Sequence, residues 1–139
     1  MGILLTVANR KGGVGKSTIT TMLAHGFAVT GEQRVLVVDL DTQCNSSIIL
    51  TGGEKWEWAR RNRMTVADYF NDKYDRPRLR PDDYILRQVG DIEAPLGELS
   101  VLSGSLDLKT SRMSSCTIAP ARARICTPPS KASPEASRT

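Results

Sequence analysis

Two lysines and three glycines lie within the six residues from Lys11 to Lys16, and two hydroxyl side chains, Ser17 and Thr18, follow directly. Because glycine has no Cβ, the backbone of such a loop can wrap closely around phosphates with its amides pointing inward. A lysine at the end of the loop can reach the β- and γ-phosphates, and the hydroxyl after it can bind Mg²⁺. The spacing therefore predicts a phosphate-binding loop; the alternative is a glycine-rich turn with two solvated lysines.

Two carboxylates, Asp39 and Asp41, directly follow an aliphatic run at residues 35–38. Phosphoryl transfer needs an oriented water, a metal ion on the phosphates and fixed positive charge. Neighbouring carboxylates repel each other, and a nearby cation relieves that repulsion. The alternative is a pair of solvated turn residues, and the glycine loop upstream favours the functional interpretation.

The elements that must position these residues form a predicted βαβ unit over residues 3–41. An apolar run at 3–8 predicts the first strand, and the run at 35–38 predicts a parallel strand that is buried on both faces. Because ligands bind beyond the carboxyl ends of the strands in open parallel sheets, we expect the loop and both aspartates at one edge. The helix between the strands is predicted to bury one stripe, formed by Ile19, Met22, Leu23, Gly26 and Phe27.

Three further elements are predicted beyond the aspartates. Trp56 and Trp58 stand among arginines and predict a short helix, whose rings either stack on nucleic-acid bases or, as we favour, cover the core. Thr65 predicts the N-cap of another helix, with Asp68 in the capping-box position that Glu usually holds. Residues 99–102 predict one more strand.

The loop sequence departs from the general phosphate-loop pattern, because Arg10 stands at the position of its first glycine and Lys11 adds a second lysine. In this form, Lys-Gly-Gly-Val-Gly-Lys-Ser-Thr, the loop resembles the deviant Walker A motif of the ParA/MinD family of P-loop partition ATPases. By that resemblance, Lys11 reaches across a nucleotide-sandwich dimer to the phosphates of the partner.

Two more segments carry the same resemblance. Residues 38–45 resemble the second signature of the family, with Thr42 and Cys44 in place of its usual Pro and Gly. Residues 99–108 resemble the strand segment that precedes its central helix. The resemblance covers about residues 2–113 and implies an α/β fold, a P-loop NTPase-like parallel sheet with flanking helices.

The resemblance also implies roles, cofactors and partners. Lys11, Lys16 and Asp41 act in catalysis, with Asp41 orienting the attacking water, while Ser17 and Asp39 serve the Mg²⁺. ATP is bound by Lys11, Gly12, Gly13, Val14, Gly15, Lys16, Ser17 and Thr18. The implied partners are a second copy of the chain in an ATP-dependent homodimer, non-specific DNA, and a ParB-like protein that stimulates hydrolysis. The implied function is ATP-driven partitioning of plasmids or chromosomes.

The resemblance stops near residue 113. No apolar run ending in Asp follows Asp41, so the Walker B aspartate of the family is not found, and a sheet without its later strands is predicted to fold poorly alone. We therefore interpret residues 1–113 as the N-terminal part of a nucleotide-binding domain, incomplete at its C-terminus. Residues 114–139, rich in Ser, Thr, Pro, Ala and Arg, are interpreted as a disordered tail.

Several interpretations stay open at this point. The chain is either an ATPase that turns over, a non-catalytic module that binds nucleotide or a partner, or an inactive gene fragment. A MinD-like positioning ATPase is a further alternative within the fold, although residues 114–139 offer no apolar face for a membrane-binding helix. A nitrogenase-reductase-like protein needs paired cluster cysteines, which the sequence does not offer.

Composition bounds the remaining possibilities. The 139 residues are 40% hydrophobic and 24% charged, which is typical of one soluble domain. The sequence contains no run of about 18 apolar residues, so no membrane-spanning segment is predicted. Cys44, Cys116 and Cys126 lack paired spacing and are expected to be free thiols in a reducing cytoplasm. Most of the net charge of +4 comes from residues 114–139, so it only weakly indicates a DNA-binding face.

Overall fold

A computed structural model describes residues 2–75, 80–90 and 97–109, in which a small parallel sheet is flanked by helices. This arrangement confirms the predicted α/β class. The predicted tail at 114–139 lies outside the described residues. The elements are helices α1 (Lys16–Val29), α2 (Asn45–Thr51), α3 (Gly53–Arg61) and α4 (Val66–Asp75), strands β1 (Arg34–Val38) and β2 (Glu98–Leu102), and two 3₁₀ turns (Pro81–Tyr84 and Leu106–Lys109).

The sheet pairs β1 with β2 in parallel, from Arg34 opposite Glu98 to Val38 opposite Leu102. The strands predicted at residues 35–38 and 99–102 are therefore confirmed, but the prediction that β1 is buried on both faces is wrong. Val37 is buried, whereas the Leu36 side chain, on the opposite face, is 48% exposed. Successive side chains of a strand point to opposite faces, and only one face of β1 is covered in the part of the chain that the structure describes.

Residues 3–8 form no strand, so the predicted βαβ unit over residues 3–41 is wrong in its first element. The side chain of Ile3 is 96% exposed, and Leu4 and Leu5 are exposed as well. A β-strand exists only where a neighbour accepts its backbone hydrogen bonds. Within the described ranges, no strand pairs with this segment.

The predicted helix is present as α1, but its buried face is the opposite of the predicted stripe. Thr21, Ala24 and Ala28 are buried, whereas Met22 and Phe27 are exposed. The small side chains let α1 pack closely on β1, β2 and α2. The large apolar side chains point away from this contact, which accounts for the failure of the periodicity argument.

Two clusters of buried apolar residues hold the elements together. The first joins α1, the sheet and α2, and the second places α4 on the other side of β2. Leu99 and Val101 of β2 are almost fully buried. Burying one Val or Leu side chain contributes about 1.5–3 kcal/mol to stability, so β2 contributes strongly to the core.

The prediction for the start of α4 is confirmed. The Thr65 amide donates to Asp68 Oδ2, and the Asp68 amide donates to Thr65 Oγ1, each at 3.3 Å. These reciprocal bonds form a capping box in which Asp replaces Glu. The helix predicted around the tryptophans is present as α3. Trp56 is partly buried, with the Arg60 guanidinium 5.5 Å from its ring centre, but Trp58 is 52% exposed and does not cover the core.

Candidate functional site

The glycine loop has a backbone conformation that only glycine adopts easily. Gly13 and Gly15 have φ angles of 70° and 81°, in the left-handed region, where a Cβ is strained. Gly15 precedes α1, whose N-terminus receives no side-chain cap and whose first turn contains no acidic residue. The first amides of a helix have no acceptor within the helix. The loop therefore presents unpaired amides at the positive end of a 14-residue helix.

The two lysines of the loop meet across it. Lys16 Nζ donates to the backbone carbonyl of Lys11 at 3.4 Å, and the Lys11 amide donates to Asn9 Oδ1 at 3.0 Å. Lys16 is half-buried, whereas Lys11 is exposed. The structure thus brings both predicted lysines to one loop, with the Lys16 ammonium lying over its backbone.

Both oxygens of the Asp39 carboxylate accept hydrogen bonds. Its carboxylate is 5% exposed, and Oδ2 accepts the backbone amide of Ser47 at 2.9 Å and the Ser47 hydroxyl at 2.7 Å. Its other oxygen, Oδ1, accepts the Asp41 amide at 3.1 Å. Because Ser47 is the third residue of α2, the carboxylate caps this helix and lies at the positive end of its dipole.

Asp41 is placed differently. Its Oδ1 accepts the Gln43 amide at 3.0 Å, in a local turn, and its carbonyl accepts the Cys44 amide at 3.0 Å. Oδ2 makes no hydrogen bond within the described ranges. The structure thus joins the two aspartates through the Asp41 amide, whereas no hydrogen bond or ion pair between described residues joins either one to the glycine loop.

Sequence reasoning did not find two residues of this site, Ser47 and Gly104. The Gly104 amide donates to Ser47 Oγ at 2.8 Å, which links the loop after β2 to α2. A Cβ on Gly104 would lie 3.2 Å from Asp39 Cγ and 3.1 Å from Cys44 Sγ, so a side chain there would crowd the carboxylate. The available signals were the polar run after the aspartates and the Ser-Gly-Ser that ends the second strand.

Cys44 is a further buried residue of the site. It has a left-handed φ of 55° before α2, and its thiol is fully buried. Burial, assisted by the nearby carboxylates of Asp39 and Asp41, raises the pKa of the Cys44 thiol to about 11. A thiol of this kind stays protonated at neutral pH and is a poor nucleophile.

The parts of the site share one edge of the sheet. Asp39 directly follows β1 and Gly104 follows β2, and the carboxyl ends of parallel strands meet at the same edge. Helix α1 ends at Val29, a short turn before β1 begins, and packs back along the sheet. Its 14 residues span about 21 Å, so we expect its N-terminus and the glycine loop at the edge where β1 ends.

Residues 3–80 match the model of a protein family described as an AAA domain (AAA_31). The match contains the glycine loop, α1, both aspartates, α2, α3 and α4. It ends before β2, so the contact between Gly104 and Ser47 lies partly outside it. Within the described ranges, no helix combines the length and the apolarity needed to cross a membrane.

Three relatives illustrate what the chain is similar to. An uncharacterized protein of Methanocaldococcus jannaschii is 40% identical over 60 residues, which are 43% of this chain and 23% of that protein. The light-independent protochlorophyllide reductase iron-sulfur ATP-binding protein of Rhodobacter capsulatus is 37% identical over 76 residues, 54% of this chain and 22% of that protein. An uncharacterized protein of Pseudomonas putida is 46% identical over 48 residues, 34% of this chain and 18% of that protein.

These matches are partial on both sides. The similar segments amount to less than a quarter of the length of each relative. No solved structure matches the chain significantly.

Proposed function

The chain belongs to the AAA domain family AAA_31, a class of P-loop ATPases, and we propose that it binds ATP with Mg²⁺ at the glycine loop and the start of α1. The observation that supports this proposal is the left-handed backbone at Gly13 and Gly15, directly before an uncapped helix N-terminus. Such a nest of amides on a positive helix end is suited to phosphate groups.

The free space around the loop fits a phosphate chain. A Cβ built on Gly12, Gly13 or Gly15 would meet no atom within 4 Å, so packing within the described residues does not require glycine there. What the glycines provide is backbone conformation and room for a ligand to approach the amides. Lys16 Nζ, whose present acceptor is a loop carbonyl, can exchange that long contact for phosphate oxygens.

The oxygen donors proposed for this site also fit Mg²⁺. This ion binds through one or two protein oxygens together with phosphates and water, and when bound it neutralises phosphate charge. We propose the Ser17 hydroxyl as its protein ligand and Asp41, with its unbonded Oδ2, as the group that orients water. Because both Asp39 oxygens already accept hydrogen bonds, we propose that Asp39 acts on the metal indirectly, by holding the Asp41 loop.

A finer proposal is a role in plasmid or chromosome partitioning, which Lys11 favours. Its ammonium is exposed while its amide is held by Asn9, so the side chain extends from a fixed backbone and can reach a second copy of the chain. An ATP-dependent homodimer, non-specific DNA and a ParB-like stimulating protein belong to this proposal. The iron-sulfur chemistry named for the Rhodobacter capsulatus relative is not part of it, because the sequence offers no paired cluster cysteines.

ATP binding and hydrolysis need separate tests. We propose to titrate the 139-residue chain with a fluorescent ATP analogue, with Mg²⁺ and with EDTA, and to measure phosphate release independently. Lys16→Ala should weaken binding by tenfold or more, whereas the exposed control Lys55→Ala on α3 should not change it. Equal affinity in the wild type and Lys16→Ala would reject the proposed site. Binding without phosphate release would support a non-catalytic nucleotide-binding module.

A further inference from the structure

We infer that Ser47 is a positioning residue, which holds the Asp39–Asp41 loop in the conformation that the Mg²⁺ end of a bound nucleotide requires. This inference rests on the proposed nucleotide binding. It assigns a role to a residue that contacts neither the glycine loop nor the solvent, since Ser47 is fully buried.

The Ser47 hydroxyl is the central atom of a chain of hydrogen bonds. It accepts from the Gly104 amide at 2.8 Å and donates to Asp39 Oδ2 at 2.7 Å. The same carboxylate accepts the Asp41 amide through Oδ1 at 3.1 Å. One hydroxyl therefore connects the end of β2 with the backbone of the residue that we propose orients water.

Removing this hydroxyl leaves one buried group without a partner and takes one of two donors from another. The Gly104 amide loses its acceptor, and Asp39 Oδ2 keeps only the Ser47 amide as a donor. An unsatisfied buried polar group is costly, so the carboxylate is expected to turn and to release the Asp41 amide. Groups behind a metal site act in this way, and their loss typically costs 10–100-fold in metal affinity.

The neighbour Ser46 provides a matched control. It lies one residue earlier on α2 and is also buried, but its side chain makes no hydrogen bond to a described residue in this cluster. Ser46→Ala thus removes the same atom from the same helix turn without breaking the chain of hydrogen bonds. A difference between the two variants reports on the Ser47 contacts and not on helix propensity.

Hydrogen exchange tests the positioning without any nucleotide. In the full chain, Ser47→Ala should speed exchange of the Asp41 and Gly104 amides by tenfold or more, and Ser46→Ala should leave both within twofold. Unchanged exchange at Asp41 in Ser47→Ala overturns the inference. If Ser47→Ala does not fold, the wild type is measured instead: Mg²⁺ and ATP together should slow both amides, and slowing of one alone overturns the inference.

Nucleotide titration tests the link to the metal. In Ser47→Ala, half-saturation by Mg²⁺ at a fixed concentration of fluorescent ATP analogue should rise about tenfold or more, while binding in EDTA stays within twofold. An equal loss with and without Mg²⁺ indicates general damage and overturns the inference. A wild type that binds no analogue rejects the proposed function itself, and with it the role of Ser47 toward the metal, whatever the exchange result.

Discussion

The Asp39 carboxylate lies 2.9 Å from the backbone amide of Ser47 and 2.7 Å from its hydroxyl, and these two bonds tie the end of β1 to the first turn of α2. Helix α2 begins with Asn-Ser-Ser, which are weak helix formers. A buried carboxylate at its N-terminus offsets this weakness, both as a cap and as a charge at the positive end of the helix. The Asp39 carboxylate, a predicted site residue, thus also stabilises the fold.

Replacing the Asp39 carboxylate should therefore destabilise the folded protein, separately from any effect on catalysis. We expect Asp39→Ala to lower the free energy of unfolding by about 3 kcal/mol, because it removes the acceptor of three buried or partly buried hydrogen bonds. Asp83→Ala, at an exposed carboxylate in the 3₁₀ turn, should change it by less than about 0.5 kcal/mol. Urea unfolding of the three proteins measures both values, and similar midpoints for the two variants would contradict the assigned role.

The left-handed backbone of the loop predicts a contrast between two glycines. Gly15→Ala should destabilise the protein by about 1–2 kcal/mol, since its φ of 81° is unfavourable for any residue with a Cβ. Gly12→Ala should cost little or be slightly stabilising, because Gly12 is not in that region and a Cβ there meets open space. Thermal unfolding compares them, and equal effects would mean that the loop has another conformation in solution.

The exposed Lys11 side chain predicts a separation of binding from association. Lys11→Ala should bind a fluorescent ATP analogue within about threefold of the wild type, but its ATP-dependent dimerisation should weaken by about tenfold, equivalent to about 1.4 kcal/mol. Light scattering at several protein concentrations, with and without nucleotide, gives the dimer constant. Lys55→Ala serves as the control for loss of one exposed positive charge. Unaltered dimerisation of Lys11→Ala would remove the argument for a partition ATPase.

Cys44 predicts a pH dependence at the alkaline end. The pKa of its thiol is about 11 in the folded protein, against 9.0 as the ordinary value. As pH rises from about 9 to 11, the unfolded chain loses the proton while the folded protein keeps it, so stability falls with rising pH. The free energy of unfolding falls by about 2–3 kcal/mol by the upper end of this pH range. Below pH 9.0 this contribution to stability is fully present.

The comparison of wild type with Cys44→Ala isolates this contribution. Other groups titrate in the same range in both proteins, so only the difference between their unfolding free energies reports on the thiol. That difference should shrink steadily as pH rises. At neutral pH, alkylation of Cys44 should be slow in the folded protein and fast in urea, as measured by mass spectrometry of the peptide that contains Cys44. Rapid labelling of folded protein would show that the thiol is accessible.

The local predictions from sequence succeeded where short-range physics decides. The glycine loop before α1, the strands at 35–38 and 99–102, and the Thr65–Asp68 cap each depend on residues within a few positions. The place of Asp39 after a strand predicted its position at the sheet edge, and its role toward Mg²⁺ came only from the family resemblance. Ser47, which binds Asp39, also binds Gly104, and these two residues are 57 positions apart, a relationship that no local pattern contains.

The long-range predictions failed for a related reason. The apolar run at 3–8 and the α1 stripe of Ile19 and Phe27 are typical of buried elements, but burial also requires a neighbouring layer. In the part of the chain that the structure describes, β1 has β2 on one side only, and small residues fill the α1 contact. Periodicity identified the apolar positions correctly and could not say what would cover them.

The uncovered apolar positions predict self-association of the isolated chain. Ile3 is almost fully exposed, and Leu36 and Phe27 are each 48% exposed, which is a large apolar surface for a chain of this size. An unpaired strand edge beside such a face favours intermolecular contacts. We expect the 139-residue chain to associate with rising protein concentration. Leu36→Lys should reduce the association without lowering stability, because that side chain lies on the uncovered face of β1, whereas Leu99→Lys should abolish folding. A wild type that stays monomeric over the whole concentration range, measured by light scattering, would contradict this account of the surface.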